Sequence, residues 1–275
     1  MDVYVTGSNA KFLSKDIITE FRGRGEQVHL FPFSFSEFMQ GYPNGEYQGW
    51  LEYILYEEMP KLLEMKNEVD KTSYLNSVIS QTYIKDILEH NDIRNSAELE
   101  ELLDFVASSI GGLINPKKLA DTFKSVKNVS IHPETIKNYL DYFEDSFLIS
   151  KAKRYDVKGK KYINTPMKYY FQDVGLRNAR LHFRQIEESN IMENVIYNEL
   201  LIRGFKVDVG SVDCSEYIDS KQVQKQLEVD FVCNLGSKRI YVQSALSISE
   251  QEQKSLVSIH DSFKKVIIAK DAPTH

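Results

Sequence analysis

From Ile191 onward the hydrophobic pattern changes from helical spacing to strand alternation, returns to helical spacing and changes again. MENVIYNELLIRG places Val195, Ile196 and Leu200 on one side and is closed by Gly204, a helix stop. KVDVG, QLEVDFVCN and RIYVQSAL read as three strands, SEQEQKSLVSIHDS as a helix and KKVIIAK as a last strand. The order αβββαβ is that of an α/β sheet unit, and it restricts which polar residues can meet.

Those residues have a recognisable chemistry. Glu193 lies on the first helix, Glu228 and Asp230 alternate on the central strand, and Gln243 follows on the next. A helix carboxylate, a strand Asp and an Asp, Glu or Gln on the neighbouring strand assemble a metal-dependent phosphodiesterase site. Hard oxygen ligands, here Glu193 and Asp230, would hold Mg²⁺, and a lysine two residues further on would orient the attacking water. The stretch here is Gln243-Ser244-Ala245, so that lysine is absent and an amide stands where a carboxylate would bind more strongly. A Mg²⁺-dependent nuclease therefore needs a substitute such as Lys254 on the following helix. The ordinary alternative makes Glu193 and Asp230 structural polar residues at the sheet edge.

The preceding region reads as helices and a hairpin. From Glu46 to about Asn91 the pattern is helical, with Trp50, Tyr53 and Ile54, then Leu62 and Leu63 after Pro60, then Leu75, Val78, Ile79, Tyr83 and Ile87. LEELLDFVASSIGG, NPKKLADTFKS and HPETIKNYLDYFEDSFLI are three further helices, followed by β-rich runs around Lys158-Gly159-Lys160. Three helices plus a hairpin is the plan of a winged helix-turn-helix. Between Lys151 and Tyr170 there are seven Lys or Arg and one Asp inside a chain of net charge −6. Lys151, Lys153, Arg154, Lys158, Lys160 and Lys161 are thus candidate contacts to nucleic-acid phosphates. Glu134, Asp141, Glu144 and Asp145 on the last helix oppose such contact, and protein docking or simple solubility is the competing reading.

At the other end, MDVYVTGSNAKFLSKDIITEFRGRG reads as a strand, a polar turn and a helix, the arrangement in which α/β proteins present loop residues to ligands. Ser8 or Asn9 capping that helix is the plain alternative. VHLFPFSFSEFMQGYPNG follows as a strand and a turn-rich connection. No GxSxG, HExxH, GxGxxG, HRD or GxxxxGK[ST] stretch occurs, and Cys214 and Cys233 lie in no CxxC or Cys/His cluster. No signal peptide opens the chain and no apolar run approaches the ~18 residues that cross a bilayer, so a cytoplasmic protein without membrane contact is expected.

These segments, taken in order, resemble one family over nearly the whole chain: AAA-superfamily ATPases of bacteria and archaea with a C-terminal domain of unknown function. The resemblance rests on YVTGSNAKFLS, RGRG, LFPFSFSEF, LEYILYEEMP, YIKDIL, HPETIKNYLDYFEDSFLI, KYYFQDVGLRN, ENVIYNELLIRG, LEVDFV and YVQ. It implies an α+β multidomain chain: residues 1–45 the tail of an NTPase core, 46–95 a helical linker or lid, 96–175 a winged helix-turn-helix and 176–275 a PD-(D/E)XK-like α/β domain. It also implies that Ser8 and Asn9 sit near a nucleotide γ-phosphate and that Arg24 acts as a finger or sensor arginine. Glu193, Asp230 and Gln243 fall on the nuclease motif positions. ATP is the family's cofactor, yet the P-loop and Walker B strand are not among these residues. The expectation is a split or truncated ATPase relative that does not hydrolyse ATP alone, binds nucleic acid or protein, and works with a P-loop-bearing partner chain.

Overall fold

A computed structural model describes Tyr4, Thr6, Gly7 and residues 28–56, 59–93, 95–218 and 221–271. The chain is mixed α/β and divides into two compact units. One comprises the described parts of Met1–Ser109, with Pro116–Ser150 and Phe171–Gln185; the other comprises Ile110–Asn115, Lys151–Tyr170 and the described parts of Ile186–His275.

The first unit is helical. Its elements are α1 (Phe35–Gly41), α2 (Glu46–Tyr56), a 3₁₀ turn at Pro60–Glu64, and α3 (Glu68–Ser77), which runs through a π-helical stretch, Val78–Ile84, into α4 (Lys85–His90). Then come α5 (Ser96–Ser108), α6 (Pro116–Thr122), which continues as the π-helical Phe123–Lys127, α7 (Pro133–Asp145) and α8 (Val174–Arg180). Leu99, Leu102, Leu103 and Val106 of α5 and Ile136, Leu140 and Phe143 of α7 are fully buried, as helical apolar spacing requires.

The strand expected at the start of VHLFPFSFSEFMQGYPNG is not formed, and the connection expected after it contains α1. The cause is local. Ser34 and Glu37 form a capping box, with Glu37 N–H donating to Ser34 Oγ at 3.3 Å and Ser34 N–H to Glu37 Oε2 at 2.9 Å, and this starts a helix at Phe35.

Short α8 is the keystone of this unit. Arg177, only 1% exposed, donates Nε–H to the Ala107 carbonyl at 2.8 Å, and its Nη1 to Asn178 Oδ1 at 3.0 Å and to the Gln185 carbonyl. Asn178 Nδ2 donates to the carbonyls of Ile54 and Leu55 at 2.9 and 3.0 Å, closing the end of α2. A Cβ on Gly175 would lie 2.1 Å from the Tyr56 carbonyl oxygen, so only glycine lets α8 come this close.

The second unit is a seven-stranded mixed sheet. Its strands are β1 (Leu113–Ile114), β2 (Ile149–Asp156), β3 (Lys161–Phe171), β4 (Lys206–Ile218), β5 (Lys221–Leu235), β6 (Lys238–Ser247) and β7 (Lys264–Asp271), in the spatial order β1-β3-β2-β4-β5-β6-β7. Helix α9 (Glu188–Ile202) precedes β4, and α10 (Glu250–Val257) connects β6 to the parallel β7. The αβββαβ order expected from Ile191 onward is present.

The β2–β3 hairpin, which follows the three helices in sequence, extends this sheet: β2 pairs parallel to β4, Arg154 opposite Val209 and Asp156 opposite Ser211. Val157, Val212, Val229, Val232, Tyr241, Leu256 and Ile259 pack as one apolar cluster. The β5–β6 ladder spans Phe231–Leu235 against Lys238–Val242 and ends there, while β6 stays paired with β7 to Ser247. Asp230 and Gln243 are therefore the first residues past the point where β5 and β6 part.

Candidate functional site

Where a backbone ladder ends, side chains must satisfy the freed groups. Ser244 N–H donates to Asp230 Oδ2 at 2.7 Å, and Asp230 N–H reaches Gln243 Oε1 at 3.4 Å. Gln243 also accepts from Ser255 Oγ at 3.2 Å and donates Nε2 to Glu252 at 3.3 Å, which ties the strand to α10. A cleft of about 370 Å³ opens here, lined among others by Glu193, Asp230, Gln243, Ser244, Ser249 and Glu252. The structure thus brings together the three residues read from the sequence as a nuclease-type motif, Glu193, Asp230 and Gln243. Ala245 occupies the position where the motif has lysine, and Lys254 does not line the cleft.

One residue that sequence reading left inside a charge count belongs to this cluster. Lys168 of β3 is 3% exposed, with Nζ 3.0 Å from Glu193 Oε1 and 2.5 Å from Glu228 Oε1. The phenol of Tyr170, two residues on and so on the same face of β3, donates to the same Glu193 oxygen at 2.6 Å. Tyr170 stacks on Tyr197 of α9, ring centroids 4.2 Å apart, which holds the hydroxyl in place. Gly111, at φ +72°, passes so close that a Cβ would lie 3.3 Å from Glu193 Oε2.

Burial and charge set the protonation states. Burial opposes the Lys168 ammonium, but Glu193, Glu228 and Asp230 outweigh it and hold its pKa above the usual lysine range. Burial and the Glu193 carboxylate keep the Tyr170 phenol protonated. Burial first, and Glu193 second, push the Asp230 carboxyl up to about 7 against the pull of Ser244 N–H and Lys168.

The basic hairpin has a different character. Asp156 Oδ1 accepts from Gly159 N–H at 2.8 Å and closes the turn, and Lys160 takes a φ of +51°. Lys153, Lys158, Lys160 and Lys161 are exposed, whereas Lys151 and Arg154 are half-buried. Lys158 donates to the Asp213 carbonyl, and Arg154 Nη2 to Gln226 Oε1 at 2.8 Å. Ser8, Asn9 and Arg24 lie outside the described residues.

Comparison with known proteins places this architecture. An AAA domain model matches residues 1–39, and the chain is an AAA-like relative. Residues 47–187 match a domain of unknown function, DUF8612, and the chain belongs to that family. An uncharacterised protein of Haemophilus influenzae is 34% identical over 274 residues, covering 97% of this chain and 65% of that protein. An uncharacterised protein of Methanocaldococcus jannaschii is 28% identical over 276 residues, covering 96% of this chain and 59% of that one. The chain thus spans 65% and 59% of the lengths of these two relatives. No solved structure matches. Among the described residues no helix is long and apolar enough to cross a membrane.

Proposed function

We propose that this AAA-related chain is a non-catalytic nucleic-acid-binding protein whose sheet unit is a PD-(D/E)XK-like scaffold. The observation that carries the reading is the β2–β3 turn, where Lys158, Lys160 and Lys161 project within four residues while the whole chain carries a net charge of −6. Such a local concentration of cations gains counterion-release free energy from a phosphate backbone that the average surface does not. Helices α5–α7 followed by this hairpin keep the chain order of a winged helix-turn-helix, but the hairpin is built into the sheet unit beside β4, so its cations act from that sheet.

The scaffold reading is supported by the αβββαβ order and by the shared cleft of Glu193, Asp230 and Gln243. The absence of cleavage chemistry is supported by the donor set. Gln243 spends its amide on Asp230 N–H, Ser255 and Glu252, and Ala245 offers no ammonium. Ser8, Asn9 and Arg24 would act on ATP held by a P-loop outside these 275 residues, in the same polypeptide or in a partner chain; the greater length of both relatives supports this.

The test is fluorescence anisotropy with single-stranded and duplex DNA and RNA between 20 and 200 mM salt. Wild type should bind with steep salt dependence. The triple substitution Lys158→Ala, Lys160→Ala, Lys161→Ala should weaken binding by tenfold or more and lower the salt slope by about 3. No binding by wild type at the lowest salt defeats the reading. Cleavage of any of these substrates in Mg²⁺ or Mn²⁺, lost in Asp230→Ala, would restore the nuclease alternative.

A further inference from the structure

The geometry points to Lys168 as a built-in cation: its ammonium, seated between Glu193 and Glu228, does for the carboxylates beside the cleft what a divalent ion does in a metal-dependent nuclease.

One oxygen of each carboxylate is already engaged by a donor of the protein. Glu193 Oε1 already takes Lys168 and Tyr170, Glu228 Oε1 takes Lys168, and Asp230 Oδ2 takes Ser244 N–H. Among the described residues no three His, Cys, Asp or Glu side chains are arranged to hold a metal. Mg²⁺ does not fit the site as it stands, where the ammonium already occupies the place between Glu193 and Glu228.

The carboxylates explain why the ammonium stays in spite of its burial. A lysine 3% exposed is tolerated only with close carboxylate partners, and here two contact it while a third, Asp230, adds to the field. The consequence reaches the cleft. Without Lys168 the charges of Glu193 and Glu228, joined by Asp230 where it is ionised, would stand uncompensated beside the cleft and repel a phosphodiester; Lys168 cancels one of these charges without metal. The inference rests on the nucleic-acid reading for its purpose, but the charge replacement is testable apart from it. A purely structural ion pair, once broken, would leave its carboxylates uncompensated and the fold weaker, without a saturable response to metal.

The experiment compares the 275-residue chain with Lys168→Met, Lys168→Arg and the double variant Lys168→Met with Glu228→Gln, using Mn²⁺ alone as probe. Thermal unfolding and the electron paramagnetic resonance signal of free Mn²⁺ are followed. Wild type and Lys168→Arg should show no saturable response. Lys168→Met should bind Mn²⁺ at least tenfold more tightly than wild type, with a saturable rise in Tm that the double variant loses. Equal Mn²⁺ binding by wild type and Lys168→Met, or a folded Lys168→Met without metal response, overturns the inference. Should Lys168→Met unfold in EDTA, recovery of its circular dichroism on refolding with Mn²⁺ supports the inference, and failure to recover overturns it. A second arm measures DNA affinity: Lys168→Met should bind more weakly than wild type in EDTA and regain affinity with Mn²⁺. If wild type binds no DNA, the proposed function falls while the Mn²⁺ arm still decides the role of Lys168.

Discussion

Each unit of this protein buries a cation, and the partners described for the two differ in kind. Arg177 of the helical unit is 1% exposed and spends its guanidinium on the Ala107 and Gln185 carbonyls and the Asn178 amide. Lys168 of the sheet unit is 3% exposed and spends its ammonium on two carboxylates. A planar fork facing dipoles from separate chain segments fixes backbone to backbone. A point charge facing carboxylates fixes an electrostatic potential, and it does so beside a cleft. The first arrangement is what a structural clamp needs, and the second is what a ligand surface needs.

Breaking the clamp should have the largest effect. Arg177→Ala strands the buried Ala107 carbonyl and the Asn178 oxygen and frees the exposed Gln185 segment, and should cost about 3–5 kcal/mol in chemical denaturation of the chain. Arg177→Lys should recover less than half of that, because an ammonium cannot span all three acceptors. Should Lys168→Met cost as much as Arg177→Ala and show nothing else, the contrast between the two cations disappears.

Next in size is the pH response of the sheet unit. The Asp230 carboxyl is raised from 3.8 to about 7, chiefly by burial and then by Glu193. The native state therefore holds a proton that the unfolded chain has released between these values, and stability falls as pH rises from about 4 to about 7. Asp230→Asn keeps an acceptor for Ser244 N–H and removes the titration. Its urea midpoint should be nearly flat over this range, and its unfolding free energy at pH 8 should exceed that of wild type by roughly 4 kcal/mol. A wild-type midpoint that rises across the same range contradicts the assignment.

The smallest of these effects sharpens the comparison by removing a neutral partner. Tyr170→Phe deletes the hydrogen bond to Glu193 while leaving the stack on Tyr197, and should cost about 1.5 kcal/mol by thermal unfolding. Because Lys168 remains on Glu193, this variant should stay blind to Mn²⁺.

Much of the architecture was legible because its signals are local. Gly204 ends α9, Pro133 opens α7, and strand alternation marks β4 to β7, so the αβββαβ order follows from residues close in sequence. The meeting of Glu193, Asp230 and Gln243 was legible too, because that order places them on one helix and two adjacent strands. Lys168 was not, since what distinguishes it from the hairpin lysines is tertiary: its partners come from α9 and β5, remote in sequence. A weak signal existed. Lys168 sits between Met167 and Tyr169-Tyr170-Phe171, whereas Lys158 and Lys160 flank a glycine, and a lysine inside an apolar run has to find a carboxylate. Helix α1 shows the reverse error, for Ser34-x-x-Glu37 is a local capping signal that the neighbouring aromatic run obscured.

The parting of β5 and β6 has a consequence in time as well as in space. The amides of Asp230 and Ser244 are held by side-chain oxygens, so a single rotamer change releases each without separating the strands. Their hydrogens should exchange with solvent faster than those of Val232–Asn234 in the adjoining ladder. Anything that enters the cleft and fixes Asp230 or Gln243 should slow that exchange at these two positions first.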